Sequence, residues 1–116
     1  MKRAGNKYNA RKTECANGHI HDSARESARC NELHLLQMAG HIAMLRVHHQ
    51  FWFVINGHQV KHPNGRRVGY KVDFFYSELP SLVDVAEDSK GVRTEAYVLR
   101  AALFRALFPT IELREV

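Results

Sequence analysis

The sequence predicts a single α/β domain, with elements in the order helix, three strands, helix, strand, and a mixed sheet flanked by helices. Two segments free of internal Gly and Pro have the character of helices, and segments rich in aromatic and β-branched residues lie between them. The chain has 116 residues, of which 45% are hydrophobic, enough for one compact domain with a small core. No internal repeat is found.

The first helix is predicted at residues 24–39, in the run ARESARCNELHLLQMA, which lacks Gly and Pro. Ser23 and Glu26 have the spacing of a capping box, and Gly40 stands where a C-terminal cap is expected. Before the helix, residues 15–21 contain an Asn-Gly turn signal, which predicts a small hairpin or a short extended entry.

Three strands are expected to follow and to form an antiparallel meander. They are predicted at residues 48–55, 66–77 and 82–89. An Asn-Gly pair ends the first strand, and Pro80 marks the turn between the second and the third. The second helix is predicted at residues 93–108, where Pro109 ends it. The closing segment IELREV is predicted to be a short strand.

The excess positive charge lies at the N-terminus. The net charge is +5 at pH 7, and five of the 17 basic residues fall within residues 1–13, which contain no acid. We expect a flexible basic arm at residues 1–13 that contacts DNA phosphates, followed by one domain at residues 14–116; a merely solvated tail is the alternative. The DNA-contacting residues predicted in the arm are Lys2, Arg3, Lys7, Arg11 and Lys12.

Membrane and secreted classes are not expected. No run of 18 apolar residues is present, and the N-terminus lacks the apolar core of a secretory signal. Cys15 and Cys30 are too few for a disulfide framework, so we expect free thiols. The sequence therefore predicts a cytoplasmic protein without membrane contact.

Charged side chains are predicted to converge at the end of the third strand. Because side chains alternate along a strand, Asp88 and Lys90 should face one way and Glu87 the other. Asp73 lies in the middle of the preceding strand, in the apolar setting VDFFY, and a turn at residues 79–81 would bring it level with the end of the third strand. Two carboxylates that share a site repel each other, and a divalent cation is the usual reason that a protein tolerates them.

These residues resemble the PD-(D/E)XK nuclease superfamily, in which an aspartate on one strand precedes an acid-x-lysine triplet on the next, with a helix on either side. The chain is also similar, over nearly its whole length, to a small phage and prophage family of unknown function that is assigned to that superfamily. The resemblance lies in the segments KYNARKTE, HDSARESARCNELHLLQMAG, YKVDFFY, EDSKG and FPTIELREV. It implies a restriction-endonuclease-like core and a protein that acts in the cytoplasm of a bacterial host.

The resemblance also implies roles for individual residues. Asp73 corresponds to the first motif acid, and Asp88 and Lys90 correspond to the acid and the lysine of the triplet. Glu26 corresponds to a helix glutamate that completes the metal site in several branches, and the carbonyl of Ser89 would also face the metal. The implied activity is Mg²⁺- or Mn²⁺-dependent hydrolysis of DNA phosphodiesters, with Lys90 orienting the attacking water or stabilising the transition state. Nicked or branched DNA is the implied substrate, since small members of this kind often act on such DNA as dimers.

Other interpretations remain open at this stage. Glu26 could only complete the helix cap, and Asp88 with Lys90 could form a surface ion pair. Ser89 and His21 replace the β-branched and aromatic residues expected from the resemblance. The alternative function is therefore a catalytically inactive protein that binds nucleic acid or acts on a host complex.

A second group of side chains suggests a different chemistry. Four of the residues Cys15, His19, His21, Cys30 and His34 could bind zinc as a structural module. Their spacing fits no standard zinc finger, and a chain with eight histidines produces such pairs by chance.

Overall fold

The computed structural model describes residues 12–21, 23–89 and 92–116, in which two helices and eight strands form. In chain order they are β1 (Thr13–Glu14), β2 (Ile20–His21), α1 (Ala24–Met38), β3 (Ile42–Trp52), β4 (Val54–Ile55), β5 (His58–Gln59), β6 (Gly69–Glu78), β7 (Val83–Asp88), α2 (Glu95–Leu107) and β8 (Ile111–Glu115). The predicted α/β class and the predicted order of the long elements are confirmed.

The central sheet has four strands in the order β3-β6-β7-β8. β3, β6 and β7 are antiparallel neighbours, so the predicted meander is confirmed. β8 runs parallel to β7, which makes the sheet mixed. A parallel neighbour requires a long crossover connection, and α2 supplies it.

A side-chain cap marks the start of each helix. Ser23 Oγ accepts a hydrogen bond from the Glu26 N–H over 3.1 Å at the start of α1, and Gly40 follows its end with φ of +83°. At the start of α2, Thr94 Oγ accepts from the Tyr97 N–H over 3.1 Å. Because Thr94 is the cap, α2 begins two residues later than predicted.

Each helix covers one face of the sheet with its own core cluster. The cluster beneath α1 comprises Cys15, Cys30, Leu33, Ile42, Phe74, Tyr76 and Val85. The cluster beneath α2 comprises Phe51, Phe53, Tyr70, Val72, Phe75, Ala86, Tyr97, Ala101 and Phe104. Adjacent residues of β7, Val85 and Ala86, belong to opposite clusters, as the alternation of a strand buried on both faces requires.

The bounds predicted for the strand at residues 48–55 were wrong at both ends. β3 starts at Ile42, which is buried, and a register shift between Ala43 and Arg46 interrupts its pairing with β6. The last two residues of the predicted strand instead form β4, which pairs with β5 in a separate small hairpin. Asn56 and Gly57 join them with φ values of +52° and +77°, the left-handed pair of a tight hairpin turn.

Smaller corrections apply to the other predicted boundaries. β6 begins at Gly69 rather than residue 66, because its pairing with β3 ends at Trp52 and Gly69. Leu82 has a φ of +63° and belongs to the turn, so β7 starts one residue later than predicted. Thr13, predicted to end the arm, already pairs with His21 in β1. Neither helix in the described ranges is long and apolar enough to cross a lipid bilayer.

Candidate functional site

Asp73 and Ser89 mark the end of the paired region between β6 and β7. Phe74 and Glu87 are the final backbone pair at this end of the two strands, so the same register continued by one residue places Asp73 opposite Asp88. The Ser89 N–H donates a hydrogen bond to Asp73 Oδ2 over 2.8 Å. The hairpin therefore brings Asp73 level with the end of the third long strand, as predicted.

Glu26 directs its carboxylate from α1 towards the same point. Its Oε2 accepts hydrogen bonds from His21 Nδ1 over 2.5 Å and from His48 Nε2 over 3.1 Å, and it is 6% exposed. Burial opposes ionisation of Glu26, but its hydrogen bonds to His48, His21 and Asp73 hold its pKa below the ordinary value. The helix cap uses only the Glu26 N–H, so the carboxylate is available for other chemistry.

Asp73 is the side chain whose ionisation this site disfavours most clearly. Burial and the negative charges of Asp88 and Glu26 raise the pKa of Asp73 to about 8, against the opposing effect of the Ser89 N–H. Asp73 and Glu26 also share a hydrogen bond, which raises the pKa of Asp73 and lowers that of Glu26. Of these two carboxyl groups, Asp73 is therefore the one whose ionisation the site opposes.

Asp88 is fully buried at the end of β7, where the Tyr70 hydroxyl donates to its Oδ2 over 2.8 Å. Glu87 has different partners: Arg29 donates to its two carboxylate oxygens over 2.9 and 2.6 Å. The two neighbouring acids thus have separate environments, as strand alternation predicts. Glu87 is neutralised by an ion pair, whereas the charge of Asp88 acts on Asp73. Lys90, predicted to complete the triplet, lies outside the described residues.

His48 is a site residue that the sequence analysis missed. It lies on β3 between two residues that pair with Phe74 and Val72, which places it across from Asp73. Its φ of +55° is unusual for a residue with a side chain and is a strained backbone conformation. The strained position lies beside Glu26, which His48 contacts. The only signal in the sequence was a pair of adjacent histidines in a strand. Such a pair does not predict that a positive φ sets the position of the His48 ring.

Two groups of candidate metal-binding side chains are present among the described residues. Cys15, His19, His21 and Cys30 form one group, and His21, Glu26 and His48 form the other. In each group the ligand atoms lie within 4.8 Å of one another. Within the described ranges, neither group includes Asp73 or Asp88. The predicted carboxylates are therefore brought to one place without forming an equally compact ligand set.

Two cavities lie near this end of the sheet, and acids of the site line the smaller one. The smaller, of about 230 Å³, is lined by Glu26, Asp73, Glu87 and Ser89, with Arg25 and Arg29 at its side. The larger, of about 580 Å³, is lined by cationic side chains together with Trp52, Tyr70 and Tyr97. Its cations are Arg66, Arg67, Lys71 and Arg100. The Tyr70 hydroxyl connects the wall of the larger cavity to Asp88.

The cations of the larger cavity have no acidic partner among the described residues. No Asp or Glu in the described ranges lies within ion-pair distance of any of the four. The Arg67 guanidinium stacks over the Trp52 ring at 4.7 Å, and its buried Nε has no hydrogen-bond partner in the described structure. Buried donors without partners are uncommon, and an anion would satisfy them.

The family model "Protein of unknown function (DUF1064)" matches residues 5–116. The chain belongs to the DUF1064 family. Its predicted membership of a family of unknown function is thus confirmed. No curated protein and no solved structure matches the chain.

The DUF1064 match includes all the acids of the site but only part of the basic arm. Lys2 and Arg3 precede the matched residues. Of the five arm residues predicted to contact DNA, Lys2, Arg3, Lys7 and Arg11 lie outside the described residues, and Lys12 is described and exposed. The cations of the larger cavity were not predicted. The Arg66-Arg67 pair was their only local signal, because Lys71 and Arg100 join it only in the folded chain.

Proposed function

We propose that this DUF1064 protein is a Mg²⁺- or Mn²⁺-dependent DNA endonuclease of the PD-(D/E)XK kind that processes phage or mobile-element DNA. The observation that carries the proposal is the convergence of Glu26, Asp73 and Asp88 at one end of the sheet. An acid on each of two neighbouring strands and a third on the preceding helix are the arrangement that the resemblance implies. Tyr70, which donates to Asp88, lines a cavity whose cations have no acidic partner among the described residues.

The chemistry of these side chains fits a hard divalent cation. Burial, together with repulsion by the carboxylates of Asp88 and Glu26, raises the pKa of Asp73 to about 8. A divalent cation would remove that repulsion and replace the proton. Carboxylate oxygens suit magnesium or manganese better than they suit zinc. Asp73, Asp88 and Glu26 would hold the metal, together with the Ser89 carbonyl.

Each of these residues has a distinct task in the proposed reaction. When bound, the metal polarises the scissile phosphate and lowers the pKa of a water molecule. The Ser89 N–H fixes the orientation of the Asp73 carboxylate, and Tyr70 fixes that of Asp88. His21 and His48 keep Glu26 ionised. Lys90 stabilises the charge that develops on the phosphate.

The larger cavity provides a binding surface for the DNA backbone. Arg66, Arg67, Lys71 and Arg100 present guanidinium and ammonium groups that have no carboxylate partner in the described part of the chain, and phosphates are the ligands such groups prefer. Trp52 adds an aromatic surface on which an unstacked base could lie, as single-stranded or branched DNA would offer. Tyr70 lines the same cavity and donates a hydrogen bond to Asp88, so it connects the cations to the acids.

The test is a cleavage panel of linear, nicked, flapped and four-way DNA, with and without added magnesium or manganese. We expect cleavage of at least one substrate only when metal is added. Lys90→Ala should lose cleavage and keep most of its DNA affinity. A protein that cleaves none of the substrates with either metal would contradict the proposal.

A nucleic-acid-binding protein without cleavage activity is the second candidate. The observation in its favour is that Asp73 and Asp88 do not belong to a compact ligand group in the described structure. This second function requires that the affinity for DNA depend on the cavity cations and be independent of divalent metal.

A further inference from the structure

Four side chains of the N-terminal hairpin and α1 converge on one point, next to the Glu26 carboxylate that His21 contacts. Cys15 and His19 lie in the turn that joins β1 to β2, His21 lies at the end of β2, and Cys30 lies on α1. The four supply two sulfur and two nitrogen atoms, all within 4.8 Å of one another. We propose that Cys15, His19, His21 and Cys30 bind one Zn²⁺ ion in a tetrahedral site that fastens the hairpin to α1.

The distances between these ligand atoms fit a tetrahedral ion. With ordinary Zn–S and Zn–N bond lengths, a tetrahedron has S···N edges of about 3.5 Å and S···S edges of about 3.8 Å. His19 Nδ1 lies 3.7 Å from Cys15 Sγ and 3.6 Å from Cys30 Sγ. The two sulfur atoms are 3.3 Å apart, so this edge would open slightly around an ion. Two thiolates and two imidazoles are a ligand set that zinc prefers.

His21 is oriented as a metal ligand by its other nitrogen. Its Nδ1 donates to the Glu26 carboxylate, which fixes the proton on Nδ1 and leaves a lone pair on Nε2. The His21 side chain is 1% exposed, and Nε2 has no hydrogen-bond partner within the described part of the chain. A carboxylate that holds the non-ligating nitrogen of a histidine is the usual support of a zinc ligand.

His34 is excluded from the ligand set by its own hydrogen bond. Its Nδ1 lies 3.6 Å from Cys30 Sγ but donates to the Cys30 carbonyl oxygen over 2.8 Å. Its ring stacks on His19, with 5.4 Å between centroids. His34 therefore packs beside the site but is not one of its ligands.

Hydrogen bonds of the backbone already hold the hairpin in the conformation that brings the four ligand atoms together. The Cys15 N–H donates to the His19 carbonyl over 2.9 Å, and the Gly18 N–H donates to the Cys15 carbonyl over 3.0 Å. The Ala16 N–H donates to Asn31 Oδ1 on α1 over 2.7 Å. These bonds hold the turn and the helix in register, so the four side chains need little rearrangement to bind an ion.

The first test measures metal content in the full-length protein, purified with a thiol reductant and without a chelator. We expect about one zinc per chain. His21→Gln and Cys30→Ser should lower the zinc affinity by at least about tenfold, and Glu26→Gln should lower it by about 10- to 100-fold. His34→Gln is the matched control and should keep the metal. Retention of zinc by His21→Gln together with its loss from His34→Gln would overturn the assignment.

The second test uses the parental protein alone, so it does not depend on whether a variant folds. Replacement of zinc by Co²⁺ should give the intense visible bands of a tetrahedral site and a thiolate-to-cobalt charge-transfer band. Weak octahedral bands without charge transfer would overturn the proposal, as would a Cys15–Cys30 disulfide in protein purified under reductant. Both tests are independent of nuclease activity.

Discussion

The main-chain N–H of Ser89 donates to Asp73 Oδ2 over 2.8 Å, at the point where the backbone pairing of β6 and β7 ends. The side chain of Asp73 thus takes the place of a backbone partner for the residue that follows β7. This hydrogen bond fixes one carboxylate oxygen at the end of the sheet, where the same carboxyl group meets Glu26. The strand end is therefore shaped by an acid that is costly to ionise.

We predict that Asp73→Asn stabilises the protein in the absence of added magnesium or manganese, and more so near pH 8 than near pH 4. The pKa of Asp73 is about 8 in the folded protein against an ordinary value of 3.8. Between these values the folded state binds more protons than the unfolded state, so the free energy of unfolding falls as pH rises. Asparagine does not ionise, so the free energy of unfolding of Asp73→Asn lacks this dependence on pH. Each kcal/mol regained should raise Tm by about 4 °C.

Thermal unfolding of both proteins across this pH range measures the effect. A chelator must be avoided, since it would also remove zinc from the proposed Cys/His site. Equal destabilisation by Asp73→Asn at both ends of the range would show that burial of a charge at this position costs little.

The sequence predicted the parts of the site that depend on local signals. Pro80 and the two flanking apolar runs placed a hairpin, and the hairpin determined that Asp73 would meet the end of the next strand. The separation of Asp88 from Glu87 followed from the period of a strand. The Ser23 cap likewise placed Glu26 in the first turn of α1.

The rest of the site depends on contacts between distant segments. His48 reaches Glu26 through a backbone conformation that no residue type near it requires. Arg100 joins Arg66 and Arg67 because α2 packs against the sheet beside the loop after β5. The early start of β3 also lacked a signal, since its first residues gain their partners only from β6.

A second prediction concerns the ion pair beneath α1. Glu87 is 1% exposed, and Arg29 binds both of its carboxylate oxygens. Arg29→Ala would leave a buried carboxylate without its counter-charge and should lower the free energy of unfolding by about 3 kcal/mol. Arg105→Ala, which removes an exposed partner of Glu115, should cost less than about 1 kcal/mol. Urea unfolding measures both, and equal losses would show that Glu87 does not depend on Arg29.

A third prediction tests the cationic cavity with two arginines on the same helix. Arg100 lines the cavity, whereas Arg105 is paired with Glu115 at 2.5 Å. Arg100→Gln should weaken DNA binding and, if this side chain neutralises one phosphate, lower the slope of log affinity against log salt by about 0.9. Arg105→Gln should leave that slope unchanged. The opposite ranking would place the DNA on another surface.

A fourth prediction concerns the basic arm. Deletion of residues 1–11 removes four cationic side chains ahead of β1 and leaves the described hydrogen bonds in place. The salt slope should fall by up to about 0.9 for each phosphate that the arm neutralises, while the unfolding transition stays cooperative. Fluorescence anisotropy with duplex DNA over a salt series measures the slope. An unchanged slope would make the arm a solvated tail.

Single-turnover cleavage with added magnesium tests most directly the proposal that Asp73 and Asp88 form a metal-dependent nuclease site. Asp73→Asn and Asp88→Asn should each lower the cleavage rate by at least about a hundredfold, a loss of about 2.7 kcal/mol in transition-state stabilisation. Without added metal, the DNA affinity of Asp88→Asn should be equal or tighter, because a negative charge beside the phosphate is removed, whereas that of Asp73→Asn should be nearly unchanged, because the pKa of Asp73 is already about 8. Asp84 lies on the same strand as Asp88 and contacts Ser77, so Asp84→Asn should cleave at nearly the parental rate. Parental cleavage rates in folded Asp73→Asn and Asp88→Asn would contradict the account.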